Sequence, residues 1–135
     1  MDVPLEHIRV SYKARDQLIQ LKRATGIMQW NILCRWAFCV SLADPNIPTG
    51  EPPPADSNIE MSWRTFAGAY HDVYLAVLME RCRADGLKLD REVLARQFRL
   101  HLHRGIGHLA GNLEIRDVAE TGGWGEKNIG YLIFI

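Results

Sequence analysis

The polar and apolar positions of residues 13–25 repeat with the period of a helix. Apolar side chains follow one another at spacings of four, three and four, which places them on one face. Gly26 suits the left-handed position just past a helix end. The pattern therefore predicts an amphipathic first helix with a polar outer side. Its buried face comprises Ala14, Leu18, Leu21 and Thr25.

The next segment is apolar on every side. Asn31 is a suitable N-cap for a second helix, and Arg35 is the only charged residue from there to Leu42. A helix that is apolar all round must be buried all round, and a short chain has little material with which to wrap it. We therefore expect copies of the chain to cover it in a homo-oligomer. The predicted interface residues are Ile32, Leu33, Trp36, Phe38 and Val40.

Similar patterns predict the remaining elements. Alternation over residues 5–11 indicates a short strand or an extended arm, so the chain begins with a ribbon-helix-helix-like segment. Five prolines make residues 44–57 a loop. Helical spacing predicts a third helix over 62–84 and a fourth from Arg91 toward His103, which the glycine-rich run 105–112 ends or breaks.

A short last helix is predicted over 113–120, and residues 121–135 form an atypical tail that ends in YLIFI. The expected fold is an all-α, compact helical domain that assembles as an oligomer. A length of 135 residues fits a single domain over 1–135. Its parts are the N-terminal arm and helix pair (5–43), the proline-rich loop (44–61), the C-terminal helices (62–120) and the tail (121–135).

Composition is ordinary for a globular protein, and no apolar run is long enough to span a membrane. Cys34, Cys39 and Cys82 are odd in number and lack metal-type spacing, so we expect reduced, buried thiols in a cytoplasmic protein. The net charge is zero, which argues against nucleic-acid binding until its distribution is considered. Residues 1–43 carry six Lys/Arg against three Asp/Glu, whereas residues 44–80 carry one against six.

The sequence contains no recognisable catalytic motif. A phosphate-binding glycine loop, a GxSxG elbow and an HExxH pair are all missing. His101 and His103 point to different faces of a helix, and a glycine break separates His103 from His108, so a metal site is not expected. The chain is therefore expected to be neither an enzyme nor a cofactor protein.

The basic residues of the N-terminal segment suit a phosphate backbone. Acids are sparse among them, and an oligomer would repeat the cations around a symmetry axis. Repeated cations bind phosphates without reading sequence. The alternative is a solvated helix face that keeps the protein soluble. The predicted DNA contacts are Arg9, Lys13, Arg15, Lys22 and Arg23, with Arg96, Arg99 and His103 as the next candidate face.

Three long stretches carry a resemblance to a known family. IRVSYKARDQLIQLKRATGIMQWNILCRWAFCVSLADP resembles the N-terminal half of DndE proteins of bacterial DNA phosphorothioation, and ADSNIEMSWRTFAGAYHDVYLAVLMERC and FRLHLHRGIGHLAG are similar to later parts. The resemblance covers about residues 5–118 and implies a helical homotetramer that binds nicked double-stranded DNA. It also implies that other proteins of the DNA sulfur modification system, a cysteine desulfurase among them, supply the sulfur chemistry.

Two other readings of the sequence stay open. A ribbon-helix-helix transcriptional regulator would place His7, Arg9 and Ser11 in the major groove as a ribbon formed by two chains. A non-catalytic assembly scaffold would use the basic face to bind acidic protein surfaces. Binding measured against salt with nicked, intact and single-stranded DNA distinguishes the three.

Overall fold

A computed structural model of the chain describes residues 6–112. Within this range the fold is mostly helical with one small sheet, so the expected helical class is confirmed and the strict all-α description is corrected by a second strand. The elements are β1 (His7–Arg9), α1 (Tyr12–Thr25), α2 (Trp30–Ala43), β2 (Glu60–Ser62), α3 (Trp63–Ala67), a 3₁₀ turn (Gly68–Tyr70), α4 (His71–Ala84) and α5 (Arg91–Asn112).

The two strands pair within one chain. β1 and β2 are antiparallel, with Ile8 opposite Met61. The order strand, helix, helix at the N-terminus is therefore as predicted, but the ribbon is closed by β2 of the same chain. A ribbon-helix-helix regulator requires β1 to pair with β1 of a second chain, so the described pairing does not support that reading.

Helix α1 begins one residue before its predicted start and ends where predicted, and both ends have strong capping signals. The Ser11 side chain accepts a hydrogen bond from the Ala14 backbone N–H at 3.1 Å. At the other end Gly26 has φ of 76° and its N–H donates to the carbonyl of Lys22, as in a left-handed cap. Ala14, Leu18 and Leu21 are buried and form the inner face of the helix as predicted, whereas Thr25, the fourth predicted residue, is partly exposed.

Helix α2 begins earlier than predicted. Its N-cap is Gln29, and Asn31 lies inside the first turn, so the predicted cap is wrong. Gln29 makes no side-chain capping bond, which leaves the start of the helix fixed by packing.

The argument that one chain cannot cover α2 is wrong for three of the five predicted interface residues. Leu33, Trp36 and Phe38 are fully buried by the other helices of the same chain, α5 above all. These three predicted interface residues are therefore core residues. Ile32 and Val40 are partly exposed, and their place at an interface stays a prediction.

The predicted third helix is two helices with a turn between them. α3 ends at Gly68, which has φ of 65° and ψ of −143°, a conformation that L-residues with a side chain rarely adopt. A Cβ at Gly68 would lie 2.8 Å from Nη1 of Arg35, but that atom ends a flexible side chain that can move aside, so the positive φ is the main reason for glycine here. Trp63 and Phe66 of α3 and Tyr74 of α4 are all buried in the core on the two sides of this break.

Helix α5 continues through the glycines that were expected to end it. It runs for 22 residues to Asn112. A Cβ at Gly105 would lie 1.7 Å from the Ala37 carbonyl oxygen, so the glycine permits the close crossing of α2 and α5. The glycine run therefore marks a helix crossing instead of a helix end.

An aromatic cluster at the centre of the domain joins the three helices α2, α3 and α5. Phe38 lies 5.8 Å from Phe66 and 5.1 Å from Phe98, measured between ring centroids, and Trp63 lies 5.2 Å from Phe98. Offset and edge-on contacts of this kind add stability beyond the burial of apolar area. The cluster fixes α2, α3 and α5 relative to one another and so holds the scaffold on which α1 is mounted.

Some predictions concern residues outside the described range. The short helix over 113–120 and the tail over 121–135 lie outside residues 6–112. The single domain over 1–135, with its division into 5–43, 44–61, 62–120 and 121–135, likewise stays a prediction.

Candidate nucleic-acid interface

The solvent side of α1 carries four of the five cations predicted to contact DNA. The buried stripe of α1 packs against α5, which orients the opposite side of the helix outward. Lys13 and Arg23 are exposed, whereas Arg15 and Lys22 are partly exposed at the edge of the stripe. Packing on the core therefore presents these cations on a rigid helix, which the periodicity had predicted.

The four cations do not form a single row. Arg15 and Lys22 are seven residues apart, so they lie on one side of the helix about 10 Å apart along its axis. Lys13 lies about 180° around the axis from Lys22, and Arg23 lies between them on the outermost side. The cations therefore surround the exposed half of α1.

Two of these cations lie close to another side chain, which restricts the position of one and partly offsets the charge of the other. The Lys22 ammonium lies 4.7 Å from the centre of the Trp30 ring, a cation–π contact that restricts the lysine without cancelling its charge. Arg15 Nη1 lies 3.5 Å from Asp16 Oδ1, but the acid is well exposed, so water screens this pair strongly. Trp30, the first residue of α2, thus holds a candidate DNA contact in place.

Arg9 has a different role from the α1 cations. Its Nη2 atom lies 2.8 Å from Glu60 Oε2, and its Nη1 atom donates to the Ser57 carbonyl at 3.4 Å. Glu60 belongs to β2, so the arginine spans the two strands. The structure therefore shows Arg9 as a paired residue of the sheet, and its DNA contact stays a prediction without geometric support.

The N-terminus of α1 is fastened to the rest of the domain. The Tyr12 backbone N–H donates to Asp56 Oδ1 at 2.9 Å, and the Ser11 N–H donates to His103 Nε2 at 3.2 Å. The second ring nitrogen of His103 lies 2.8 Å from the Arg99 carbonyl oxygen and donates to it, and burial lowers the pKa of the ring. His103 is therefore a neutral anchor for α1 and not a free cation.

Three arginines of α5 hold the proline-rich loop. Arg96 donates to the Gly50 carbonyl at 2.7 Å, Arg99 donates to the Pro53 carbonyl, and Arg104 donates to the carbonyls of Ser41 and Asn46. Proline lacks an N–H group, so a proline-rich loop cannot pair its own carbonyls and needs outside donors. The alternative DNA face of Arg96, Arg99 and His103 is thus largely engaged in holding the fold.

Sequence reasoning missed this role of the α5 arginines. The available signal was the excess of carbonyls over N–H donors in residues 44–57, matched by arginines at helical spacing elsewhere in the chain. It also missed Arg81, which donates to the carbonyls of Leu42 and Asp44 and pairs with Asp85 at 2.9 Å. Arg81 thereby supplies donors to the C-terminal end of α2.

The three thiols are buried and protonated. Burial raises the pKa of Cys34 to about 12 and is the main cause that raises those of Cys39 and Cys82 to about 11. A thiolate is the nucleophilic form of cysteine, so these side chains offer very little nucleophile near neutral pH.

The thiols are therefore expected to be slow to react in the folded protein. At pH 8 the native chain should react with an aromatic disulfide reagent at least about 100-fold more slowly than the chain unfolded in guanidinium, because both thiolate fraction and access are reduced. Absorbance of the released thiol gives both rates on the same sample. One thiol that reacts at the unfolded rate would contradict the assignment of all three to the core.

The described residues contain no candidate metal site and no candidate membrane-spanning helix. In residues 6–112, His, Cys, Asp and Glu form no group of three that could hold a metal ion. Over the same residues, each helix is too short or too polar to cross a membrane.

Comparison with known proteins gives a family and a fold. The family model described as "DNA sulphur modification protein DndE" matches residues 7–117. The crystal structure of DndE from Escherichia coli B7A, involved in DNA phosphorothioation modification, is similar with a TM-score of 0.67 and 24% identity over 80% of this chain and 99% of that chain. A mutant DndE structure has a TM-score of 0.62 and 22% identity over 78% and 97%. No curated protein sequence matches the chain.

The matched segment extends from β1 beyond the end of α5. It therefore includes all of α1, the helices that support it and the arginine-bound loop. At these identities the solved structures establish the fold, and the family model establishes the relationship. The chain belongs to the DndE family of DNA sulfur modification proteins.

Proposed function

We propose that the protein is a non-catalytic, DNA-binding subunit of a bacterial DNA phosphorothioation system. It binds nicked double-stranded DNA through the exposed half of α1, without reading sequence, and acts in the cytoplasm as a homotetramer with the other proteins of that system. The DndE family is involved in DNA sulfur modification, which supports the system. The surface of α1 supports the DNA contact.

The proposal rests on the positive charge that the cations of α1 keep available for a ligand. Lys13, Lys22 and Arg23 form no ion pair with a carboxylate in residues 6–112, whereas Arg96, Arg99 and Arg104 of α5 are bound to loop carbonyls. Unpaired cations on a capped, core-mounted helix keep their charge available for an outside anion. Lys22 and Arg23 also favour the C-terminal end of the helix dipole, which is their alternative, purely structural role.

The spacing of the cations suits a phosphate backbone. Arg15 and Lys22, about 10 Å apart by helical rise, can contact nearby phosphates of one strand. Lys13 and Arg23 extend the positive field around the helix. Such contacts release counterions and carry no sequence information, so binding is expected to weaken steeply with salt.

A nick suits this kind of surface because it makes the duplex easier to bend. Bending an intact site smoothly costs about 1–6 kcal/mol, and a break in one strand lowers that cost. In a tetramer the α1 surface is present four times, so bent DNA can contact more than one copy. The preference for a nick therefore follows from deformability and needs no pocket for the strand end.

Removal of the exposed α1 cations should weaken DNA binding more than the same charge change elsewhere. In Lys13→Ala/Arg23→Ala the salt dependence, as log K against log salt, is expected to fall by about two, one for each lost phosphate contact. The matched control Lys88→Ala/Arg91→Ala removes one exposed lysine and one exposed arginine from another part of the chain. It should leave the salt slope nearly unchanged. Fluorescence anisotropy with nicked, intact and single-stranded DNA measures both.

Each outcome of this titration bears on a separate part of the proposal. Equal slopes for the two double variants would show that net charge acts and that α1 is not the site. Equal affinity for nicked and intact duplex would overturn the preference for a nick. A protein that binds none of these DNAs but still binds other proteins of the system would favour the scaffold.

A further inference from the structure

The turn between α1 and α2 exposes one large apolar side chain. Met28 is 61% exposed, although Ile27 before it and Trp30 after it pack against the core. Single exposed apolar residues are common on protein surfaces. Only the groups that surround Met28 can therefore indicate a function for it.

The backbone that carries Met28 is held on both sides. Gly26 ends α1 with φ of 76°, and the Thr25 hydroxyl accepts a hydrogen bond from the Ile27 N–H at 3.1 Å. Ile27 and Trp30 are partly buried against the core, one on each side of the methionine. Met28 therefore projects from a fixed turn into solvent.

The surroundings of Met28 are basic. Residues 17–43 contain no Asp or Glu, and Lys22 and Arg23 lie in the last turn of α1, just before the turn that carries Met28. The Lys22 ammonium lies 4.7 Å from the centre of the Trp30 ring, which holds this cation against the first residue of α2. An apolar side chain beside cations suits duplex DNA, because DNA has apolar stacked bases between two phosphate backbones.

Methionine is well suited to insertion between base pairs. Proteins that kink DNA insert apolar side chains, methionine among them, between neighbouring base pairs, and the cost is the loss of stacking. The methionine side chain is unbranched and polarizable, so it adapts to different surfaces and requires no particular sequence. At a nick one strand is already broken, so the two flanking base pairs separate without straining the backbone of that strand. Insertion therefore costs least at a nick.

We propose that Met28 recognises the nick by inserting between the two base pairs that flank it. Lys22 and Arg23 bind phosphates beside the opened step, and Trp30 keeps Lys22 in position. The inference rests on the proposed DNA-binding function and deepens it. The cations of α1 supply affinity for any duplex, whereas Met28 supplies the preference for a nicked one.

Truncation of Met28 should reduce the preference for a nick. In Met28→Ala the ratio of the affinities for nicked and intact duplex is expected to fall by about fivefold, because the apolar contact with the opened step is lost. The slope of log K against log salt should keep the parent value, because no cation is removed. Fluorescence anisotropy with the two duplexes measures both quantities, and circular dichroism checks the fold.

Two further variants serve as controls. Met28→Leu keeps an apolar side chain of similar size and should retain most of the preference for a nick. Leu89→Ala removes another exposed apolar side chain, which lies between α4 and α5 and is 44% exposed, and it should leave the preference unchanged.

Insertion also has a spectroscopic signature. A fluorescent adenine analogue that stacking quenches is placed beside the nick. Its fluorescence should rise when the parent protein binds and should rise much less with saturating Met28→Ala protein. The same analogue in intact duplex should change little with either protein.

Several outcomes would overturn the role of Met28. A parent protein that prefers nicked duplex without a rise in fluorescence, or a Met28→Ala protein with the parent preference, would do so while the DNA-binding function stands. A smaller sedimenting mass of Met28→Ala would assign the residue to contact between copies instead. A parent protein that binds none of these DNAs would overturn both the DNA-binding function and this inference.

Discussion

Gly105→Ala is expected to destabilise the protein by more than about 3 kcal/mol or to prevent folding, because one added methyl group cannot fit. Its Cβ would lie 1.7 Å from the carbonyl oxygen and 3.0 Å from the Cα of Ala37. The obstacle is backbone of α2, which cannot move aside as a flexible side chain could. Relief requires α2 and α5 to separate, and this disrupts the aromatic cluster between them. Urea unfolding followed by circular dichroism measures the loss.

Gly107→Ala is the matched control for this substitution. Gly107 lies in the same helix, two residues further on, and a Cβ there meets nothing within 4 Å. Helix propensity alone predicts that alanine at this site stabilises the protein by up to about 1 kcal/mol. A Gly105→Ala protein as stable as the Gly107→Ala protein would contradict the close crossing of α2 and α5.

The stability of the protein is expected to fall as the pH is lowered from about 6.5 toward 4. Burial is the main cause that lowers the pKa of His101 from 6.5 to about 4, and the nearby Arg81 and Arg104 add to it. Between pH 6.5 and about 4, His101 binds a proton in the unfolded chain but stays neutral in the folded chain. The contribution of His101 is therefore complete above pH 6.5 and is lost as the pH falls, by about 3 kcal/mol in all.

The hydrogen bonds of His101 explain why the neutral ring is preferred. Its Nδ1 atom lies 2.8 Å from Ser41 Oγ, and Ser41 Oγ also accepts a hydrogen bond from Arg104 Nε at 2.8 Å. The hydroxyl proton of Ser41 is thus free to be donated to Nδ1. Nε2 is buried without an acceptor in the described residues, so a charged ring gains no further partner.

The His101→Gln variant tests the source of this pH dependence. Unfolding free energies measured by urea at pH 7, 6, 5 and 4.5 should fall less steeply for the variant than for the parent. Asp44 also faces this group, and because its pKa is lowered below 3.8 its contribution is lost at more acidic pH. Equal slopes for the two proteins between pH 6.5 and 4.5 would assign the acid sensitivity to another group, of which His103 is the first candidate.

The sequence by itself determined the elements whose signals are local. Helix α1 has its N-cap, its apolar stripe and its terminal glycine within 16 residues, so its bounds and inner face could be predicted. The proline-rich loop was equally clear. The cations of α1 were identified as outward-facing for the same reason, because the polar side of an amphipathic helix faces away from the core.

Only the tertiary structure decided the features that depend on distant neighbours. Periodicity showed that α2 needed cover but could not show that the other helices of the same chain, α5 above all, bury Leu33, Trp36 and Phe38. The sequence could not distinguish two structural roles of glycine. Gly68 ends a helix with a positive φ, whereas Gly105 lies inside a helix, where it allows the backbone of Ala37 to approach closely.

The site shows the same division between local and distant information. The sequence placed Lys13, Arg15, Lys22 and Arg23 on the solvent side of α1. It could not distinguish free cations from cations that are bound within the fold. The partners of Arg9 and of Arg96, Arg99 and Arg104 lie about 45 to 65 residues away in the chain. A charge pattern records only which cations a segment carries. The fold decides which of them remain available to a ligand, because it brings distant carbonyls and carboxylates within hydrogen-bond distance.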